Sequence, residues 1–169
     1  MEVIRKNKIV RSNPEENPNG TPLEKTPEID LGTQIIPKDR YISNEFMEKE
    51  WEKIWTKVWL LGCREDQIPE PGDFICTNIG SESVIIVRQH DGGLKAFHNV
   101  CMHRGNRLAD EGLGHADPFI CGYHGWKYGS DGTFVEIPDL ETFPQGKPPC
   151  SGLSELPCDT WASFVWFSL

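Results

Sequence analysis

The sequence predicts a mainly antiparallel all-β domain, of the small sandwich or barrel-like kind, with one helix before it and an extended N-terminal arm. Three observations indicate this fold class. Short apolar and β-branched runs recur after Gly62, Gly-containing turns separate them, and helical periodicity is confined to one segment near residue 50. With 169 residues, of which 37% are hydrophobic, the chain is long enough to bury one core.

The arm is expected over residues 1–39. Five of the 13 prolines fall in the first 40 residues, and no aromatic residue precedes Tyr41. Such a segment buries too little apolar area to offset the entropy lost on ordering, so an extended conformation is predicted. The folded domain is expected over residues 40–169.

A helix leading into the domain is predicted over about residues 43–60. Ser43 or Asn44 can cap it, and Glu45 suits its first turn. One apolar stripe follows helical spacing and is interpreted as facing the core; it consists of Met47, Trp51, Ile54, Trp55 and Val58.

Strands and tight turns are predicted in the rest of the chain. Residues 138–157 form a proline-punctuated connector. The predicted strands are Val84–Val87, Leu94–Phe97, Trp126–Tyr128, Thr133–Val135 and a single last buried strand at Trp161–Phe167; the predicted turns are Asp91–Gly93 and Ser130–Gly132.

Charge and composition exclude several classes of function. The net charge of −9 argues against binding to nucleic acid or to an anionic membrane, and it suits a basic redox partner. No apolar run is long enough to span a bilayer, and residues 1–10 lack a secretory leader pattern. A cytoplasmic location is therefore expected, where six cysteines favour thiols and metal ligation over disulfides.

Two short segments carry the candidate metal ligands. The first contains Cys101 and His103, and the second contains Cys121 and His124, with 17 residues between His103 and Cys121. Together they offer two thiolates and two imidazoles, the ligand set in which two histidines serve one iron of a [2Fe–2S] cluster and two cysteines serve the other. A glycine after each histidine lets the backbone turn sharply.

A structural zinc site is the alternative that the same four donors allow. Zinc modules usually space the first ligand pair by two to four residues, whereas Cys101 and His103 are separated by one. Both segments here also begin with cysteine and end with histidine. The pattern therefore favours the iron–sulfur cluster.

The two segments resemble a known family motif. Residues 101–107 (CMHRGNR) and 121–128 (CGYHGWKY), followed by Asp131-Gly132, are similar to the Rieske motif in the N-terminal portion of ring-hydroxylating oxygenase α subunits. The resemblance extends over about residues 40–169. Its further matches are Phe46, Glu50, Trp51, Ile54, residues 55–59, residues 68–73, Val87-Arg88, Asp91-Gly92, Ala96-Phe97, Asn99-Val100, Thr160-Trp161 and Phe164-Val165.

The resemblance implies a Rieske fold and a role for each site residue. Cys101 and Cys121 would bind the inner iron of the cluster, and His103 and His124 the outer iron. The residues that would support the cluster loops are Arg104, Gly105, Tyr123, Gly125 and Trp126.

The resemblance also implies electron transfer. A ferredoxin or reductase would supply electrons, which would pass to a mononuclear Fe(II) in the catalytic domain of a neighbouring subunit, where O2 is activated to hydroxylate an aromatic substrate. No two-histidine-one-carboxylate site is found in the chain, so the chain alone is expected to carry electrons without oxygenating a substrate. A homo-oligomer is expected for a full-length parent. A stand-alone Rieske ferredoxin is the alternative, which the helix over about 43–60 disfavours.

Overall fold

The computed structural model describes residues 33–144, 146 and 148–169. The chain forms two units, Met1–Lys38 and Asp39–Leu169. In the first unit, residues 33–38 form neither helix nor strand, and the arm predicted over residues 1–32 lies outside the described residues. The second unit contains the helices and strands that follow.

The second unit begins with short helices and continues with eleven strands. Helix α1 spans Asp39–Ile42, helix α2 spans Asn44–Glu50, and a π-helical turn spans Trp51–Trp55. The strands are β1 Leu60–Arg64, β2 Asp73–Ile79, β3 Glu82–Arg88, β4 Leu94–His98, β5 Gly112–His115, β6 Phe119–Ile120, β7 Lys127–Tyr128, β8 Phe134–Glu136, β9 Glu155–Leu156, β10 Cys158–Trp161 and β11 Phe164–Phe167; short 3-10 helices span Glu65–Gln67 and Leu140–Thr142.

The leading helix starts where the sequence predicts and ends earlier. Ser43 caps α2, because its hydroxyl accepts a hydrogen bond from the backbone N–H of Phe46 at 3.3 Å. Helical structure stops at Trp55 and not near residue 60, since the chain must turn before Leu60 pairs with Phe167 of β11. No helix among the described residues has the length and apolarity to cross a bilayer.

The apolar stripe of this helix does not face the core, so that interpretation is wrong. Met47, Ile54 and Val58 are 48%, 46% and 40% exposed. Trp51 is partly covered and packs on the β2–β3 turn, where a Cβ on Gly80 would lie 2.3 Å from its ring. Side chains of the strands and of the loops that follow them fill both cores, so the other stripe positions remain at the surface.

A five-stranded antiparallel sheet with strand order β5-β2-β3-β4-β9 separates two apolar cores. Ile85 and Val87 of β3 point into the first core, which also contains Cys101 and Cys121. Val84 and Ile86 point into the second core. Strand β3 is thus buried on both faces, which explains its unbroken β-branched sequence. The predicted all-β, mainly antiparallel fold is confirmed.

The second core is closed by a three-stranded sheet of order β1-β11-β10. The single strand predicted at Trp161–Phe167 is wrong, because Ala162 and Ser163 have positive φ values of 53° and 65° and form a turn between β10 and β11. Strand pairing across this turn joins Trp161 to Phe164. Composition alone did not mark the turn, since it contains no glycine, asparagine or proline.

The third sheet, of order β6-β7-β8, carries the second candidate metal loop. The loop runs from Cys121 to Trp126 between β6 and β7. The first loop follows β4 and precedes β5. The predicted turn at Ser130–Gly132 connects β7 to β8, and the predicted turn at Asp91–Gly93 connects β3 to β4.

Gly132→Ala is expected to destabilise the domain more than Gly92→Ala. Both glycines have positive φ, +86° and +82°, so each substitution strains the backbone by about 1–2 kcal/mol. A Cβ on Gly132 would also lie 2.4 Å from the buried Phe97 ring, whereas nothing lies within 4 Å of one on Gly92. Overpacking adds about 1–3 kcal/mol at Gly132. Denaturant unfolding of both variants measures the difference, and equal losses would contradict the packing argument.

Candidate metal centre

The two candidate loops share one backbone hydrogen-bond pattern. In the first, the N–H of Cys101 donates to the carbonyl of Asn106 at 2.7 Å, and the N–H of Gly105 donates to the carbonyl of Cys101 at 2.9 Å. In the second, Cys121 and Trp126 form the equivalent bond at 2.9 Å, and Gly125 bonds the Cys121 carbonyl at 3.0 Å. Both loops therefore close five residues after the cysteine, although the histidine stands one position later in the second.

Gly105 and Gly125 make this closure possible. Their φ values are +74° and +70°, in the left-handed region that side chains with a Cβ disfavour. Each glycine lies at the point where the loop turns back towards its cysteine. The role predicted for these two glycines as loop supports agrees with this conformation.

The four predicted ligands converge as two pairs. Cys101 and Cys121 are each 2% exposed and lie in the same core, their thiols interact electrostatically, and neither forms a disulfide. The imidazole rings of His103 and His124 lie with centroids 4.5 Å apart. His124 is exposed and His103 is partly covered, so the sulfur pair lies inside and the nitrogen pair lies towards the surface.

The electrostatics of the pair favour a positively charged occupant. Burial raises the pKa of the Cys101 thiol, although the Tyr128 hydroxyl opposes this. Burial also acts to raise the pKa of Cys121, but the backbone N–H of Tyr123 and the Cys101 thiol outweigh it and lower that pKa. Two adjacent buried thiolates repel each other, so both ionise together only when a cation compensates them.

His103 is held in the form that binds a metal. Burial lowers the pKa of its imidazole, and His124 and Arg104 lower it further, which favours the neutral ring. Its Nδ1 is buried and has no hydrogen-bond partner, unlike other buried side-chain nitrogen and oxygen atoms of the described residues. A buried polar atom without a partner is costly, and a metal would satisfy this one.

Trp126 and Tyr123 cover the two imidazoles from different sides. The indole of Trp126 is buried and stacks on His103 with centroids 4.7 Å apart and an angle of 7° between the planes. The exposed phenol ring of Tyr123 lies 3.9 Å from the His124 ring. Arg104 is exposed beside His103. All three predicted supporting side chains are therefore next to the histidine pair.

Two residues at the centre match the family in the sequence but were given no role there. Tyr128 is fully buried; its hydroxyl accepts from the N–H of Met102 at 3.0 Å and lies 3.1 Å from the Cys101 Sγ. Because Met102 is the donor in the first bond, the hydroxyl proton is free to donate to the sulfur. Asn99 is 3% exposed and bonds the segment after the first loop. The available signal in the sequence was a polar side chain near a predicted ligand, since Asn99 lies two residues before Cys101 and Tyr128 lies four residues after His124.

The arrangement of the donors matches a cluster of two metal atoms. Two sulfur donors lie inside and two nitrogen donors lie outside, as in the division of ligands in a Rieske centre.

The fold and the paired donors define an iron–sulfur electron-transfer domain. Residues 58–153 match the Rieske [2Fe–2S] domain family, and the chain belongs to it. The cofactor of this family is the Rieske [2Fe–2S] cluster. The match disfavours the zinc alternative.

The curated relatives are oxygenase subunits. The chain is 40% identical over 129 residues to the large oxygenase component of a 2,4-dinitrotoluene dioxygenase system from Burkholderia sp. (strain RASC), covering 75% of this chain and 29% of the relative. It is 37% identical over 110 residues to a biphenyl dioxygenase subunit alpha from Paraburkholderia xenovorans (strain LB400), covering 65% and 24%. The chain thus spans less than a third of these relatives and corresponds to their Rieske portion.

Solved structures give the same result. The apo form of a quaternary ammonium Rieske monooxygenase aligns with a TM-score of 0.74 at 30% identity, over 79% of this chain and 39% of that one. A naphthalene 1,2-dioxygenase from Rhodococcus sp., with indole bound, aligns with a TM-score of 0.73 at 27% identity, over 79% and 31%. These similarities favour the oxygenase subunit over a stand-alone ferredoxin.

Tyr128→Phe is expected to lower the one-electron reduction potential of the iron–sulfur-loaded chain. In the unsubstituted chain, the hydrogen bond from Tyr128 to the Cys101 sulfur stabilises the reduced cluster, which is more negative, more than the oxidised cluster. The substitution removes this bond. A net hydrogen-bond free energy of about 0.5–1.5 kcal/mol corresponds to a change of about 20–65 mV in the one-electron reduction potential. Voltammetry measures the shift. Tyr123→Phe removes an exposed hydroxyl from the second loop and should leave the potential unchanged; equal shifts in both variants would contradict the assignment.

Proposed function

We propose that Cys101, His103, Cys121 and His124 hold a [2Fe–2S] cluster and that the chain relays single electrons as the Rieske portion of an oxygenase α subunit. The observation that carries the proposal is the pairing of two buried thiols with two outer imidazoles, one of which has a buried Nδ1 without a partner. Such a cluster, when bound, takes up and releases one electron at a potential raised by its neutral imidazole ligands.

The centre has a buried inner side, which contains the two cysteines, and an exposed outer side, which contains His124 and Tyr123. Cys101 and Cys121 lie in the first core, where water does not reach the sulfur atoms. The hydroxyl of Tyr128 keeps its proton and can donate it to the Cys101 sulfur. Burial raises the pKa of this phenol, and the hydrogen bond to Cys101 raises it further. His124 and Tyr123 are exposed at the opposite side, so this is the side where a redox partner would make contact.

The proposed partners follow from what the relatives are. Those proteins are components of dioxygenase systems, and the structure of one quaternary ammonium Rieske monooxygenase gives insights into inter-subunit electron transfer. We therefore propose a ferredoxin or reductase as the electron donor and the mononuclear iron of a neighbouring oxygenase subunit as the acceptor. Hydroxylation of an aromatic substrate is the activity proposed for the whole protein.

An exposed apolar surface supports a role within a larger protein. We call it the outer face: Leu61, Phe164, Trp166 and Trp161, which share the side of the β1-β11-β10 sheet away from the second core. Leu61 is 54% exposed and Trp161 is 61% exposed. The charged residues Arg64 and Asp159 share this side of the sheet. Exposed apolar side chains with a few polar neighbours suit an interface, and packing against the oxygenase portion is the proposed use. Residues 1–39 are proposed as an arm outside the redox domain, residues 40–169.

The iron–sulfur-loaded chain is expected to show a visible spectrum that bleaches with dithionite. Its reduced EPR signal should have an average g value below that of all-cysteine clusters, because two histidines serve one iron. His124→Ala and Cys121→Ala should abolish this signal. His90→Ala and Cys63→Ala, which alter a surface histidine and a buried cysteine outside the centre, serve as controls and should retain it. A colourless zinc protein after anaerobic reconstitution would contradict the proposal.

The double substitution Leu61→Lys with Trp161→Lys is expected to reduce self-association of the isolated chain. Both side chains point away from the core, so lysine is tolerated there and breaks the apolar outer face. Sedimentation velocity and binding of a hydrophobic dye measure the change. Leu113→Lys is the matched control, because Leu113 is 59% exposed on β5, in a different sheet. An equal effect of the control would show that the outer face has no special role.

A further inference from the structure

The two metal loops differ in how their ends are joined. The second loop is the tip of a hairpin, because β6 pairs with β7 through Phe119–Tyr128 and Ile120–Lys127. The first loop follows β4 and leads to β5, and these strands are separated by β2 and β3 in the sheet. The Cys101–Asn106 backbone bond closes the first loop itself, but no strand pairing joins the residues on either side of it, and a different contact connects them.

The side-chain amide of Asn99 makes that contact. Asn99 lies directly after β4, and its Oδ1 accepts hydrogen bonds from the N–H groups of Leu108 at 2.8 Å and Ala109 at 3.1 Å. Its Nδ2 donates to the carbonyl of Ala109 at 2.8 Å. An amide side chain has the same acceptor and donor groups as a peptide unit, so it can substitute for a strand partner.

The same amide is also tied to the sheet. Its second hydrogen is directed at the Ser83 Oγ, 3.1 Å away, and at the Cys76 Sγ, 3.2 Å away. The backbone N–H of Asn99 donates to the carbonyl of Ser83 at 2.8 Å. Asn99 is only 3% exposed, so these bonds are shielded from water. The contact thus connects the end of the loop to strands β2 and β3.

We propose that Asn99 is a positioning residue for the metal centre, which does for the first loop what the β6–β7 pairing does for the second. By joining residues 99 and 108–109, it holds Cys101 and His103 between two fixed ends. This inference deepens the proposed function and rests on its ligand assignment.

Hydrogen–deuterium exchange of the iron–sulfur-loaded full chain tests the contact directly. In Asn99→Ala, exchange of the amides at residues 108 and 109 should accelerate at least about tenfold, since each loses its hydrogen-bond acceptor. The amides of Cys121 and Gly125 should exchange as before, because their acceptors are untouched. Unchanged exchange at residues 108–109 would overturn the proposal.

Release of iron to a chelator tests the consequence for the centre. Asn99→Ala should lose iron about tenfold faster than the unsubstituted chain, and its reduced EPR signal should broaden as the orientation of His103 varies. Val165→Ala, in the second core, controls for lower stability alone, and Asn78→Ala removes an exposed amide that bonds Glu111 beyond the loop. Equal release rates in Asn99→Ala and Val165→Ala would overturn the proposal.

Two further comparisons keep the test decisive. If Asn99→Ala does not fold, Asn99→Asp retains the acceptor oxygens and loses the donor, so it should release iron at an intermediate rate; release at the unsubstituted rate would overturn the proposal. If the ligand assignment itself is wrong, the unsubstituted chain will show no Rieske signal. If only the role of Asn99 is wrong, the unsubstituted chain will load and Asn99→Ala will behave as the controls do.

Discussion

Two thiols and two imidazoles must meet at one place although they come from separate loops, and the rest of the domain serves this requirement. Each loop turns back on its cysteine through one backbone bond from a glycine with positive φ. Gly105 and Gly125 cannot gain a side chain without strain. The sheets then have only to bring the ends of both loops side by side.

The division between sulfur inside and nitrogen outside has an electrical consequence. Buried thiolates next to each other are unfavourable without a compensating cation, so the inner half of the centre is completed only by a metal. Imidazole ligands of a Rieske cluster add no negative charge to it and tolerate contact with water. Cys101 and Cys121 are buried, where a metal would compensate the charge of their thiolates. His124 is exposed, where its imidazole contacts water.

Features that depend on a few neighbouring residues were predictable from the sequence. The two Cys–His segments that lie close together, the turns at Asp91–Gly93 and Ser130–Gly132, and the strand at Val84–Val87 are of this kind, because local chemistry specifies each of them. The turn at Ala162 and Ser163 was missed, since neither residue type signals positive φ. The stripe of Met47, Ile54 and Val58 has a core-facing pattern, yet it packs into neither of the two cores formed by the described residues. Asn99 and Tyr128 are among the residues that resemble the family, but their contacts at the centre were not predicted because their partners are distant in sequence.

The two cores lie on opposite faces of the five-stranded sheet, so residues that pack around the metal centre and residues that pack under the outer face belong to different groups. Side chains of the first core surround the metal centre, whereas those of the second core support the outer face. Substitutions in distant, separately packed groups are close to additive in their effects on stability. The outer face can therefore vary through residues of the second core, none of which belongs to the core that contains Cys101 and Cys121.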